Sequence, residues 1–389
     1  MARPTSERFE FNLLSIPVTE LKQTTFSTDA PSESPKVEVN RRGAVAQFIL
    51  NRPKTLNAFD DDMRRVLADE IPRIARNPDV YIVALTSASP KAFSAGGDVR
   101  RLVTEAKTDI ETVKGYFRAE YALDWLLDCF SKPTISLIDG LCMGSGAGLT
   151  CTNTHRVAGE AYKWAMPETA IGLFPDVGVA HVLGRMPWPI GLYLGLTGDS
   201  LGRADAQWLK LTTHCIPATR FAHILDQLAD AEPVDPLLDG LHEPQSSGPL
   251  QSRAAMIEEH FSGESLAEII ASLEKSGSPS REFAEKALAV IKARSPISLA
   301  ITDRHIRTAR TLDLRQTLIQ DYRLAVRCLE GHDFYEGVRA ALIDKDARPQ
   351  WSPARLSYVT EAMVEAYFAP VPSGDLVLQS RPEMQAARV

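Results

Sequence analysis

A chain of 389 residues with 44% hydrophobic content is long enough for one large domain with a smaller one attached, or for two modest domains. Its 43 basic and 50 acidic residues leave a net charge of −7, which argues against a general nucleic-acid binder with a basic face but not against an anionic ligand held by a few placed cations. The five cysteines, Cys129, Cys142, Cys151, Cys215 and Cys328, are scattered without CxxC spacing, so reduced thiols are expected, with neither a disulfide framework nor a zinc site.

Residues 1–35 are rich in Ser, Thr and Pro and carry Glu7, Glu10, Glu20, Asp29 and Glu33. Those acids do not suit a mitochondrial transit peptide, and there is no apolar stretch for a secretory signal; a flexible or surface-draped arm is expected. No segment of the chain reaches the roughly 18 apolar residues of a membrane-spanning helix, so no membrane association is expected. Residues 37–39 and 45–50, separated by Arg41-Arg42-Gly43, read as a β-hairpin. Asp60, Asp61 and Asp62 offer N-caps for a helix running to about Asn77, with a kink at Pro72. Residues 80–86 (VYIVALT) have the apolar run of a strand buried on both faces, and a loop over 91–98 follows. Tyr116, Phe117, Tyr121, Leu123, Leu127 and Phe130 lie close to helical spacing, which predicts a long helix over 109–130. A strand over 133–138 (PTISLI), a glycine run over 144–148, and short strands over 156–158 and 162–165 come next.

This alternation predicts an α/β core. From about Ala204 the composition turns helical, broken by Pro- and Ser-rich stretches at 232–236, 243–249 and 276–280. A boundary is expected near residue 200, at the turn Thr197-Gly198-Asp199. The expected organisation is an arm over 1–35, a core over 36–200, a mostly helical region over 201–370 and a tail over 371–389.

Three segments can carry chemistry. Residues 92–98 (AFSAGGD) and 140–148 (GLCMGSGAG) are small-residue loops after buried strands. Two such loops can aim two backbone N–H groups at one oxygen, as an oxyanion hole does, or they are simply tight turns. Other motifs fail on spacing. The glycine run has Leu149 where a dinucleotide fingerprint needs Gly, Ser145 lies between Met143 and Ala147 rather than in GxSxG, and there is no P-loop or HExxH. The third segment, residues 166–178 (MPETAIGLFPDVG), sets Glu168 and Asp176 behind Pro167 and Pro175. Two carboxylates in a stiff apolar segment can be driven to different pKa values and share acid and base work. Equally, Asp176 can cap a helix over 177–185 and Glu168 a shorter turn.

Taken together in this order, the three segments resemble the crotonase (enoyl-CoA hydratase/isomerase) superfamily over about residues 37–368. LNRPKTLNAF at 50–59 resembles its early CoA-binding stretch, and KAFSAGGDVRRL at 91–102 its first oxyanion loop. The resemblance implies a ββα spiral core and an acyl-CoA substrate with no further cofactor or metal, coenzyme A being part of that substrate. It gives Gly97 and Ser145 N–H as the oxyanion donors, although most relatives have glycine where Ser145 stands. It also implies Gly96, Asp98 and Gly144 as substrate neighbours, and Arg52, Lys54 and Ala58 at coenzyme A. Hydratases of the superfamily carry a glutamate where this chain has Gly148. MPETAIGLFPDVG instead resembles the 3-hydroxyisobutyryl-CoA hydrolase branch, in which the matches to Glu168 and Asp176 are the catalytic pair and that to Glu120 contacts substrate. The helical second half, with HDFYEGVRAALIDKD at 332–346 and the Trp351–Pro353 stretch, resembles the same branch. Hydrolysis of a short 3-hydroxyacyl-CoA is therefore expected, with an enoyl-CoA hydratase/isomerase or a silent acyl-CoA-binding protein as the alternatives. A homo-oligomer is expected unless the helical tail covers the interface. The compartment is expected to be the cytoplasm for a bacterial chain and the mitochondrial matrix for a eukaryotic one.

Overall fold

β1 (Val37–Arg42) and β2 (Val45–Leu50) pair antiparallel, with Arg42 opposite Val45, and Gly43 turns between them with φ +53°. The computed structural model describes residues 34–389; the rest of the expected arm lies outside the described residues. After the hairpin, the chain repeats one pattern. β3 (Ile82–Ser87), β5 (Thr134–Ile138) and β7 (His155–Ala158) extend a large sheet, and each is followed by a short strand of a second sheet, β4 (Ala92–Ser94), β6 (Leu141–Met143) and β8 (Lys163–Ala165). The second sheet ends in β9 (Leu201–Gly202) and the first in β10 (His214–Cys215). The sheet orders are β1-β2-β3-β5-β7-β10 and β4-β6-β8-β9, parallel except at β1–β2 and β8–β9. Helices fill the returns: α1 (Asp61–Ala75) before β3, α2 (Val99–Ala106) and α3 (Ile110–Cys129) before β5, and α4 (Ser145–Cys151) before β7. Strand, short strand and helix in succession make the expected ββα spiral.

The central strands are buried on both faces because alternate residues feed two cores. Val83 and Leu85 belong to the main core, which α1 and α3 join, whereas Ile82 and Ala84 belong to a second cluster with Ile135 and Leu137. That second face is closed by the helices Phe221–Ala229 and Val234–Leu241 through Ile224, Leu228, Val234 and Leu238. The helical second half thus completes the core. Pro35–Val389 form one compact unit.

Local chemistry explains the helix starts. Asp60 caps α1 by accepting from Met63 N–H at 3.1 Å, and Asp109 caps α3 by accepting from Thr112 N–H at 3.1 Å. The α1 helix continues through Pro72 and ends at Ala75. The expected loop over 91–98 includes β4, and the expected glycine loop over 144–148 is mostly the first turn of α4. Its glycines permit close packing: a Cβ on Gly146 would stand 2.8 Å from Ser94 Cβ, and one on Gly148 would stand 2.6 Å from Val177 Cβ.

The segment after residue 370 lies along α3. Trp125 Nε1 donates to Gln379 O at 2.8 Å, Arg118 donates to Asp375 O at 3.0 Å, and Arg381 pairs with Asp128. Val371, Leu376, Leu378 and Met384 are buried beneath it. All five cysteines are free, and no described helix is long and apolar enough to cross a membrane.

Candidate active site

The ends of β4 and β6 meet at glycine. Gly96 has φ +104° and Gly144 φ +48°, conformations that L side chains avoid. A Cβ on Gly144 would stand 3.2 Å from both Gly96 Cα and Glu168 Oε1 and 3.9 Å from Gly97 N. One on Gly97 would stand 3.2 Å from Ser145 Oγ. Both small-residue segments and Glu168 therefore converge within contact distance.

Two backbone N–H groups sit at this junction. The bridge between Phe59 and Gly97 uses Gly96 O and Asp98 N–H, bonded to Phe59 N–H and Phe59 O at 2.8 and 3.0 Å, so it does not engage the Gly97 N–H. Ser145 is the first residue of α4, and a helix leaves its first N–H groups without internal partners. Ser145 keeps its backbone N–H at this position.

Glu168 opens the short turn Glu168–Ile171. Its side chain does not cap that turn. It is buried, its Oε2 has no partner among the described residues, and burial pushes its carboxyl up to about 8. The surrounding segment is fixed by Ser295 N–H donating to Thr169 O at 3.2 Å and by Gly198, where a Cβ would meet Pro167 Cα at 2.9 Å.

Asp176 is not a helix cap either. The following helix, α5 (Val179–Leu183), starts after Gly178. The Asp176 carboxylate accepts from Tyr121 Oη at 2.8 Å. Burial, with the nearby carboxylates Glu168, Glu120 and Asp321, drives its proton affinity well above the usual range. Next to it, Val177 has φ +52° and Gly178 φ +74°. A β-branched residue in this region costs about 1–3 kcal/mol and persists where its surroundings enforce it. Val177 is buried against Gly148, and Gly178 N–H is bonded to Asp321 Oδ2 at 2.8 Å.

Glu120 lies on the buried face of α3 and pairs with Arg64 at 3.0 Å. Arg64 lies over the rings of Phe59 and Tyr116. At the proposed coenzyme end the predicted residues divide. Arg52 is already committed: it donates to Ala58 O and to Asp98 Oδ2, the latter at 3.2 Å, so it joins three of the predicted positions to one another. Lys54 is exposed. Asp98 also caps α2, accepting from Arg101 N–H at 3.4 Å. Three residues here escaped the sequence reading: Tyr121, Arg64 and Asp124. Their signal was a polar group at a buried position of an amphipathic helix. Among the described residues no cluster of His, Cys, Asp and Glu is arranged to hold a metal ion.

The model of the family described as Enoyl-CoA hydratase/isomerase matches residues 45–368. The mitochondrial 3-hydroxyisobutyryl-CoA hydrolase of Rattus norvegicus is 39% identical over 359 residues, covering 89% of this chain and 91% of that protein. The protein of the same name from Homo sapiens is 36% identical, covering 90% and 92%. Among solved structures, a carnitinyl-CoA dehydratase from Mycobacterium thermoresistibile is similar with a TM-score of 0.82 and 36% identity, covering 88% of this chain and 98% of that one. An enoyl-CoA hydratase from Rhodobacter sphaeroides 2.4.1 also reaches 0.82, at 32% identity, covering 88% and 100%.

Proposed function

The chain belongs to the enoyl-CoA hydratase/isomerase family, and from that premise we propose that it hydrolyses short 3-hydroxyacyl-CoA thioesters. The preferred substrate in this reading is 3-hydroxyisobutyryl-CoA, cleaved to 3-hydroxyisobutyrate and coenzyme A as in valine breakdown. The observation that carries it is the single buried glutamate at two N–H groups that have no partner among the described residues: Glu168 is there, and position 148 has no room for a second. A Cβ at Gly148 would meet Val177 Cβ at 2.6 Å and Asp124 Oδ1 at 3.2 Å. Hydration of a double bond by a glutamate pair therefore lacks its second member, whereas thioester cleavage needs one base or nucleophile, an oxyanion hole and a group to manage protons.

In this reading the Gly97 and Ser145 N–H groups take the negative charge that develops on the thioester oxygen. Glu168, once ionised, attacks the acyl carbon to give an anhydride and release the CoA thiolate, or it takes a proton from the attacking water; both routes consume one water and give the free acid and CoA. Asp176, held by Tyr121, positions water or the substrate hydroxyl and returns a proton to the leaving sulfur. Glu120 accepts from the hydroxyl of the acyl group, and Lys54 faces the phosphates of coenzyme A. The chemistry as proposed uses no cofactor. The Rattus norvegicus and Homo sapiens relatives are mitochondrial by name; for this chain the reading is a cytoplasmic enzyme if the source is bacterial and a matrix enzyme if it is eukaryotic. A homo-oligomer remains the proposed assembly, tested by sedimentation.

Free-thiol release from a panel of acyl-CoAs tests the reading. Release from 3-hydroxyisobutyryl-CoA, without hydration of crotonyl-CoA, is expected. Hydration without thiol release overturns it in favour of a hydratase, and binding with neither activity in favour of a silent acyl-CoA-binding protein.

A further inference from the structure

One acid beside the site has no part in the chemistry above. Asp124 lies one helical turn beyond Glu120 on α3, where side chains at i and i+4 are neighbours. Asp124 is 2% exposed and Glu120 5%. Each keeps a buried oxygen without a hydrogen-bond partner among the described residues, Glu120 Oε1 and Asp124 Oδ2. Arg64, from α1, is bonded to Glu120 Oε2 at 3.0 Å; among the described residues Asp124 has no ion pair. The other titratable groups facing Asp124 offer no positive charge: Asp176 after the Glu168 turn, Asp321 on the helix Leu314–Glu330, and Cys151 on α4. From α4, the Gly148 backbone closes over the Asp124 carboxyl.

Two neighbouring carboxylates in a dry site with one guanidinium do not both ionise. Glu120 holds the guanidinium, so the proton belongs on Asp124. We propose that Asp124 is the proton-bearing partner of Glu120, a positioning residue that keeps Glu120 ionised and oriented to accept the hydroxyl of a 3-hydroxyacyl substrate. A protonated carboxyl has one O–H to donate, and a carboxylate oxygen has two lone pairs. Glu120 Oε1 can thus accept from Asp124 and still take the substrate hydroxyl. Burial and the neighbouring acids Glu120, Asp176 and Asp321 push the Asp124 carboxyl well above the usual range, against the pull of Arg64. The substrate half of the proposal rests on the hydrolase reading; the protonation half does not.

Two measurements test the halves separately. An infrared difference between the parent and Asp124→Asn at neutral pH should show the carbonyl stretch of a protonated carboxylic acid, lost in the variant; its absence overturns the proposal whatever the activity. Kinetics should then compare 3-hydroxyisobutyryl-CoA with isobutyryl-CoA, which lacks the hydroxyl. Asp124→Ala is expected to raise KM roughly tenfold for the hydroxylated thioester, the effect of about one hydrogen bond to a charged group, with a much smaller change for the other. Asp124→Asn, which keeps a donor and no charge, should restore KM toward the parent's. Equal changes with both thioesters, or no rescue by Asn, overturn the positioning role. If the parent cleaves neither thioester, the hydrolase reading fails while the infrared band still decides the protonation. The infrared comparison needs only the parent and the near-isosteric variant, so it stands even if Asp124→Ala does not fold.

Discussion

Tyr121 donates its hydroxyl to Asp176 Oδ2 at 2.8 Å from a position with no solvent contact. A helix residue thereby fixes the carboxylate of a strained turn 55 positions further along the chain. Tyr121→Phe removes the donor and leaves a carboxylate oxygen short of a partner. A fall in kcat of roughly tenfold or more is expected, each decade being about 1.4 kcal/mol of lost transition-state stabilisation. Thiol-release kinetics measure it, and unchanged kcat would remove Tyr121 from the account.

Glu168→Gln keeps the shape of the side chain and removes its base. Turnover should fall by about 10²–10⁴-fold while acyl-CoA binding, read by calorimetry, persists.

The pH dependence of Glu168 gives a second, independent measurement. Burial raises its carboxyl from the ordinary 4.5 to about 8, and in the proposed mechanism only the ionised form attacks or accepts a proton. The parent's kcat/KM should therefore rise with pH up to about 8. Stability runs the other way. The folded protein binds the Glu168 proton more tightly than the unfolded chain, so this contribution is full below about 4.5 and is lost as pH rises through about 8. Melting curves across that window should slope less steeply in Glu168→Gln than in the parent.

Gly148→Glu tests whether a second glutamate would restore hydratase chemistry. The Cβ alone would stand 2.6 Å from Val177 Cβ, so overpacking should cost about 1–3 kcal/mol, read as a lower melting temperature. Hydration of crotonyl-CoA, followed by loss of enoyl absorbance, is not expected. Its appearance would show that the site can accommodate the side chain after all.

Much of this was legible in residue patterns, and the limits were physical. Strands β3 and β5 announce themselves because both faces are buried and the run is therefore apolar. Asp60 and Asp109 mark helix starts because the unbonded first N–H groups need acceptors. The α4 helix was read as a loop because its glycines are poor helix formers; close packing on Ser94 and Val177 overrides that propensity. Glu168 and Asp176 invited a capping interpretation from local sequence alone, and only the fold shows that neither side chain caps. Arg52 is expected at coenzyme A, and local sequence could not show its engagement with Asp98, 46 residues away. Tyr121 and Asp124 were hidden for the opposite reason: polar groups on a helix ordinarily face water, and only the packing of α4 and the helix Leu314–Glu330 over α3 encloses them.

A chain ending at Pro370 should lose activity although every site residue remains. The segment beyond covers α3, which carries Glu120, Tyr121 and Asp124, and buries Val371, Leu376, Leu378 and Met384. At about 1.5–3 kcal/mol for each fully buried side chain, its removal should lower the melting temperature and kcat together. A truncated chain with the parent's kcat would show that α3 needs no such cover.

That clasp also bears on the order of synthesis. Glu168 and Asp176 are polymerised well before residues 375–381, yet the helix that steadies Asp176 gains its outer cover only when those residues have been made. Until then a nascent chain would carry Glu168 and Asp176 without a settled frame to hold them. Thioester cleavage by ribosome-stalled intermediates should accordingly switch on late, with the tail, and not when Glu168 and Asp176 are made.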